Sequence, residues 1–264
     1  MTRTLFTLAA VAVFAAAPAL APWPAAAQPP AANPDPRAKD AEPLPPYPKA
    51  DPGSKVIEDP KLKGLVIELL PNGTRRVGFV AEVCLREGPL EVFLCKQGTK
   101  EHEAVLRADF DAGKIHELLL LAGATPGTPA QFVDPKTNEP KFKAATGTAV
   151  KIQVTYQKDK KVHTHPAQEW VWNSAKKRNL EAPNWVFAGS QLLKDPDRPE
   201  APPFYAANSG EVIALSNFAY SMLEVPMEIS KDDAQLNYEA KTDRIPPLFS
   251  RVWVVLEPAA APKK

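Results

Sequence analysis

The sequence predicts a mainly antiparallel α+β domain with one main buried helix at about 111–123, preceded by a proline-rich tether. Three observations carry that expectation. Val150, Ile152, Val154 and Tyr156 alternate with Lys151, Gln153, Thr155 and Gln157, the two-residue period of a half-buried strand. One segment alone has a strong helical period, and it is Leu-rich. The order is strands, one helix, then more strands, without the regular alternation of a parallel α/β sheet.

From the N-terminus, Arg3 gives a short basic region, and Leu5 to Leu20 is built almost wholly from Ala, Val, Leu and Phe. Ala25 and Ala27 place small residues at the −3 and −1 positions of a cleavage site. Residues 1–27 therefore read as a secretory signal peptide, with Gln28 as the new N-terminus. Pro18, Pro22 and Pro24 break the apolar helix early, against a retained anchor. No later apolar run approaches the roughly 20 residues of a membrane helix, so no span is expected after cleavage. The expected location is exported, periplasmic or extracellular. The chain has 32 basic and 31 acidic side chains, and losing Arg3 leaves 31 of each. A net charge near zero gives no electrostatic footprint for nucleic acid or an anionic membrane surface.

Residues 28–54 are rich in Pro and Ala, with nine prolines between Pro29 and Pro52. Proline fixes φ and removes donors, which predicts a disordered, extended tether. A single domain is expected over 55–258, and residues 259–264 read as a frayed tail.

Within the domain, Gly64 to Leu70 is a first strand, ended by the turn Pro71-Asn72-Gly73. Arg76–Leu85 and Leu90–Cys95 read as a hairpin around Glu87-Gly88-Pro89. Glu101–Phe110 is another extended run. Asp109 or Asp111 can cap the helix, whose apolar face holds Ile115, Leu118, Leu119 and Ala122, widened by Leu120 and Leu121. A helix this apolar should be buried on most sides, and Gly123 sits where a C-terminal glycine belongs. The turn Lys158-Asp159-Lys160 then joins the alternating strand to Val162–Trp172. Further strand-like runs are Trp185–Phe187, Val212–Leu215 and Val252–Leu256, the last apolar on both faces and so expected inside a sheet. Asp195 to Pro203 is a Pro-rich loop.

The chain has no Gly-x-Ser-x-Gly elbow, phosphate-cradling Gly loop, dinucleotide fingerprint or paired metal-helix motif. Its chemistry would rest on four histidines and two cysteines. His163 and His165 are two apart on a strand and share a face. Pairing through the Lys158–Lys160 turn sets them on the polar face of Gln153 and Thr155. On an extended 101–107, His102 lies with Ala104 and Leu106 on the apolar face. His116 opens the helix, where the dipole favours the neutral, ligating imidazole. Cys95, His102, Glu103 and His116 thus form a candidate metal set at one edge of the helix–sheet interface. Cys84 and Cys95 admit three fates: a disulfide, two buried thiols, or Cys95 as a ligand or reactive thiol. Trp170, Trp172, Trp185 and Trp253, with Phe204 and Tyr205, either fill the core or line a groove.

Cys95–Ala104 (CKQGTKEHEA), Ile115-His116, Trp185–Ser190 (WVFAGS), Leu215–Phe218 (LSNF) and Arg244–Pro247 (RIPP) together resemble the YdjY-domain family of exported bacterial proteins. The resemblance spans roughly Gly64 to Pro258 and implies no established activity. Some members are labelled ferredoxin-like iron–sulfur proteins, and this chain departs from that label because two thiols cannot build a four-cysteine site.

Three functions remain open. The first is a non-catalytic binding or structural module of the cell envelope, with a protein or envelope component as partner. The second is a metal- or redox-linked protein using Cys95, His102, Glu103 and His116. The third is a hydrolase acting on envelope polymers. The residues name no cofactor.

Overall fold

The computed structural model describes residues 40–58, 60–133, 137–181, 184–228 and 237–259. The expected leader, the first part of the tether and the tail beyond Ala259 lie outside the described residues. In chain order the first half gives β1 (Lys55–Glu58), β2 (Leu65–Leu69), β3 (Arg75–Val83), β4 (Val92–Lys96), β5 (Ala104–Ala108) and helix α1 (Ala112–Leu121), then β6 (Gln131–Val133) and β7 (Pro140–Lys143). The second half gives β8 (Ala149–Lys158), β9 (Lys161–Pro166), β10 (Val171–Asn173), β11 (Arg178–Asn179), β12 (Trp185–Phe187), β13 (Leu192–Leu193), β14 (Phe204–Tyr205), β15 (Ile213–Ala214), β16 (Leu223–Glu224), β17 (Tyr238–Ala240) and β18 (Arg251–Pro258).

Strand order β3-β18-β8-β12-β16-β15-β4-β5 returns to β3, because β5 pairs with both β4 and β3. The sheet-rich α+β fold is therefore closed into an eight-stranded barrel, which removes free edges along that circuit. Strand alternation fills its interior. Val77, Phe79, Ala81 and Val83 of β3, Val252, Val254 and Leu256 of β18, Ile152 and Val154 of β8, and Trp185 and Phe187 of β12 share one buried cluster. Each fully buried large side chain contributes ~1.5–3 kcal/mol, so this interior dominates stability.

Helix α1 packs Ala112, Ile115 and Leu119 into the same cluster. Of the two possible caps, Asp111 takes the role, accepting from the Gly113 N–H at 2.8 Å. Leu120 and Leu121 do not widen the buried face; they are 45% and 58% exposed.

β3 and β4 are not a hairpin. β5 lies between them, antiparallel to β3 and parallel to β4. The turn residue Pro89 bridges Glu239, and the Leu90 N–H donates to Tyr238, which draws the chain away from a hairpin. The β8–β9 turn is also tighter than expected. Asp159 and Lys160 both have positive φ, 52° and 59°, so the loop has two residues and Lys158 pairs with Lys161. That one-residue change flips β9. His163 faces Tyr156 and His165 faces Val154, not Gln153 and Thr155.

The described part of the expected tether makes contacts with the domain. The Trp253 Nε1–H donates to the Pro45 carbonyl at 2.9 Å. The Tyr47 ring stands edge-on to Trp253, centroids 5.1 Å apart, and its hydroxyl donates to Glu68 at 3.1 Å. The Ala50 N–H donates to the same carboxylate at 2.8 Å, and Glu42 accepts from Gln157 Nε2 at 3.1 Å. The cause is β18. It lies within the sheet, as its two apolar faces suggest, and its outward Trp253 and Val255 need a cover, which Leu44 and Tyr47 supply. Proline does not prevent this arm from packing. At Gly78 a Cβ would strike the Tyr47 ring, so β3 needs glycine there.

Candidate functional site

The four expected metal-set residues do not assemble. Cys95 is fully buried on β4. Residues 101–103 form a 3₁₀ turn, and the strand begins only at Ala104. The turn breaks the alternation that placed His102 beside Ala104 and Leu106. Its side chain is 78% exposed, with Nε2 3.7 Å from Glu103. His116 packs instead against Phe187 and Tyr205. Among the described residues, no three His, Cys, Asp or Glu side chains are placed to hold one metal ion.

What the 95–104 segment builds is a charge hub on Lys100. Its Nζ lies 2.8 Å from Glu91, 2.9 Å from Glu103 and 3.7 Å from Glu211, and 4.5 Å from the Phe218 ring centroid. The hub ties the residue before β4, the 3₁₀ turn and the chain before β15 to one cation. Lys100 and Phe218 both fall in segments carrying the sequence resemblance, but nothing in their spacing shows that they meet. Beside the hub, Cys84 and Cys95 join one small buried cluster with Val92, Ala104 and Ala214. No disulfide joins them. The Cys84 Sγ lies 3.1 Å from the Ala104 carbonyl oxygen. The neighbouring Cys95 thiol, and then burial, push Cys84 well above the ordinary thiol range. Cys95 is held below that range, chiefly by hydrogen bonding from Cys84.

A groove of about 520 Å³ opens between the start of α1 and the β13–β14 arm, lined by Asp111, His116, Ser190, Gln191, Leu192 and Tyr205. Its floor is a hydrogen-bond chain. The Tyr205 hydroxyl donates to the Gly189 carbonyl at 3.0 Å, and His116 Nδ1 lies 2.8 Å from the same hydroxyl. A hydroxyl has one proton, so Nδ1 donates to it and Nε2 keeps its lone pair. Burial lowers the His116 pKa and holds the ring neutral. Burial likewise pushes the Tyr205 hydroxyl far above its usual range.

Ser190 is the one hydroxyl here that resembles a nucleophile, with φ of 54° beside Gly189. Its Oγ is already committed, donating to the Tyr220 carbonyl at 2.5 Å and accepting from the Ala207 N–H at 3.0 Å. The groove thus offers a fixed acceptor at Nε2 and apolar contact, with no activated nucleophile. Its apolar contact is exposed: Leu192 is 68% and Phe204 49% accessible. Trp170 and Trp185 fill the core, so of the aromatic set only Tyr205 lines the groove and Phe204 flanks it.

A second cavity, of about 540 Å³, continues past Ser190 and Gln191 along Gly127–Val133 and Ala219. Beneath this region lies Glu224, fully buried, accepting from Asn217 Nδ2 at 3.0 Å and the Ala130 N–H at 3.2 Å. Burial raises its pKa to about 7, partly offset by those donors. No sequence pattern marks Glu224, because a lone Glu in a two-residue strand looks like any exposed carboxylate.

The model of one protein family, the YdjY domain, matches residues 72–257. No curated protein and no solved structure matches the chain.

Proposed function

The chain belongs to the YdjY domain family, and on that footing we propose that it is a non-catalytic binding module, exported and working at the cell envelope. The signal-peptide pattern of residues 1–27 supports export. The groove beside α1 supports binding. Its carrying observation is the pairing of a fixed, neutral His116 acceptor with the exposed Leu192. Solvent-exposed large apolar groups beside a polar cleft are what a recognition surface presents. A hydrolase would need an activated nucleophile, and the Ser190 hydroxyl is spent on holding its own loop. A groove joining apolar contact to one acceptor suits an uncharged polymer segment, peptide or glycan.

The test is a chemical-shift titration of the uniformly ¹⁵N-labelled protein with three simple probes: di-N-acetylchitobiose, tetra-alanine, and the peptide QPPAANPDPRAK copied from residues 28–39. At least one probe should shift the amides of His116, Gly189, Gln191 and Tyr205, with the probe recovered intact. Shifts confined to another face, or cleavage of a probe, would contradict the reading.

A further inference from the structure

We propose that His163 and His165 form a site for a divalent cation of the imidazole-preferring class, Cu²⁺, Ni²⁺ or Zn²⁺, with Glu169 as the residue that orients it. The two-residue turn at Asp159 and Lys160 fixes the register of β9 on β8, so both rings stand on the Tyr156 side of the strand. Thr164, between them, points the other way, where its hydroxyl lies 2.9 Å from that of Thr155. The two imidazole centroids are 6.2 Å apart and their planes differ by 10°. Metal–nitrogen bonds of ~2.0–2.1 Å put two imidazoles on one ion with centroids at most about 6.5 Å apart, so β9 need not move to share one. Tyr156 backs both rings, its centroid 5.4 Å from His163 and 6.0 Å from His165, and the buried Trp170 stands edge-on to it at 5.5 Å.

The tautomer of His165 is set. Its Nδ1 lies 3.0 Å from Glu169 Oε2, and a carboxylate only accepts, so in the neutral ring Nδ1 carries the proton and Nε2 keeps its lone pair. A carboxylate on the far nitrogen is the arrangement that orients metal-ligating histidines and raises their basicity. Glu169 is itself placed by the 3₁₀ turn Ala167–Trp170, which the fully buried Trp170 pins to the core. Arg244 Nη1 reaches the same Glu169 oxygen from 3.7 Å, which anchors the carboxylate on a second side. The His165 and Glu169 side chains are 24% and 35% exposed, so an ion and its waters can enter. Two protein nitrogens with water completing the shell suit an exchangeable ion rather than a closed structural centre. Affinity at nitrogen ligands rises through Ni²⁺ to Cu²⁺, so Cu²⁺ would be held most tightly. The site shares no residue with the groove beside α1.

Ni²⁺ is the probe, because it is paramagnetic and leaves thiols unoxidised. The untagged, ¹⁵N-labelled full chain is titrated with NiCl₂, and the dissociation constant is taken from calorimetry. The amides of Tyr156, His163, Thr164 and His165 should broaden first, before that of the exposed His102. His163→Ala and His165→Ala should each weaken binding by roughly tenfold or more. Glu169→Ala should weaken it by ~10–100-fold, and Glu169→Gln, which keeps an acceptor for Nδ1–H, should restore much of the loss. His102→Ala should bind as the wild type does. Broadening centred on His102, or wild-type affinity in a folded His163→Ala protein, would overturn the site. The absence of any broadening at a roughly tenfold molar excess of NiCl₂ would do the same. Wild-type affinity in Glu169→Ala would overturn the orienting role.

Discussion

Removing the ammonium of Lys100 while keeping its stem, as Lys100→Met, should destabilise the domain by about 3 kcal/mol. The site contains three carboxylates, Glu91, Glu103 and Glu211, whose side chains are 8%, 17% and 11% exposed, around a lysine that is 23% exposed. Breaking a buried pair by deleting one partner costs ~3–5 kcal/mol. Water reaches part of Lys100, which places the loss at the low end. Methionine retains contact with Phe218, so the change reports charge rather than packing. For a domain of this size ~1 kcal/mol moves the midpoint by ~2–4 °C, so thermal melts at pH 7 should drop by roughly 6–12 °C. Lys100→Met combined with Glu211→Gln should recover part of the loss at pH 7. A single-variant drop under about 2 °C would refute the hub.

Glu224 gives a second pH signature. Its folded pKa is raised by burial from 4.5 to about 7, so the stability it contributes is present in full below about pH 4.5 and is lost as pH rises through 7. At ~1.4 kcal/mol per tenfold change in proton affinity, the loss is roughly 3 kcal/mol, and Glu224→Gln should flatten that slope in urea melts at pH 5 and pH 8. Tyr47→Ala should uncover Trp253 and cost about 2 kcal/mol, visible as a red-shifted tryptophan emission; unchanged emission would mean the arm does not cover β18. Gly78→Ala should produce the same emission change from the opposite side of that contact.

The sheet-rich class and the helix were legible because both rest on periodicity. The alternation of Val150 to Tyr156 and the apolar stripe of Ile115 and Leu119 survive in the fold. Barrel closure was not legible, since it depends on β5 entering between β3 and β4, a non-local pairing that no local pattern encodes. The metal set failed for a local reason. A single 3₁₀ turn at Glu101–Glu103 shifts the alternation and sends His102 to solvent. His163 and His165 were misplaced by one residue of turn length, which is enough to exchange the two faces of a strand. Proline content said nothing of the arm's contacts, which follow from the outward face of β18. The groove was half visible. His116 and Tyr205 were both singled out, yet their meeting across 89 positions is a product of the fold.

The most direct test of the binding reading is the affinity of Leu192→Asp for whichever of the three probes shifts the wild-type groove. Leu192 is 68% exposed and should bear no folding load, so the variant should melt with the wild type. The groove account predicts at least a tenfold weaker dissociation constant, about 1.4 kcal/mol, with the same amides responding at higher probe concentration. Unchanged affinity in a folded Leu192→Asp protein would contradict it, and would place the ligand elsewhere on the barrel.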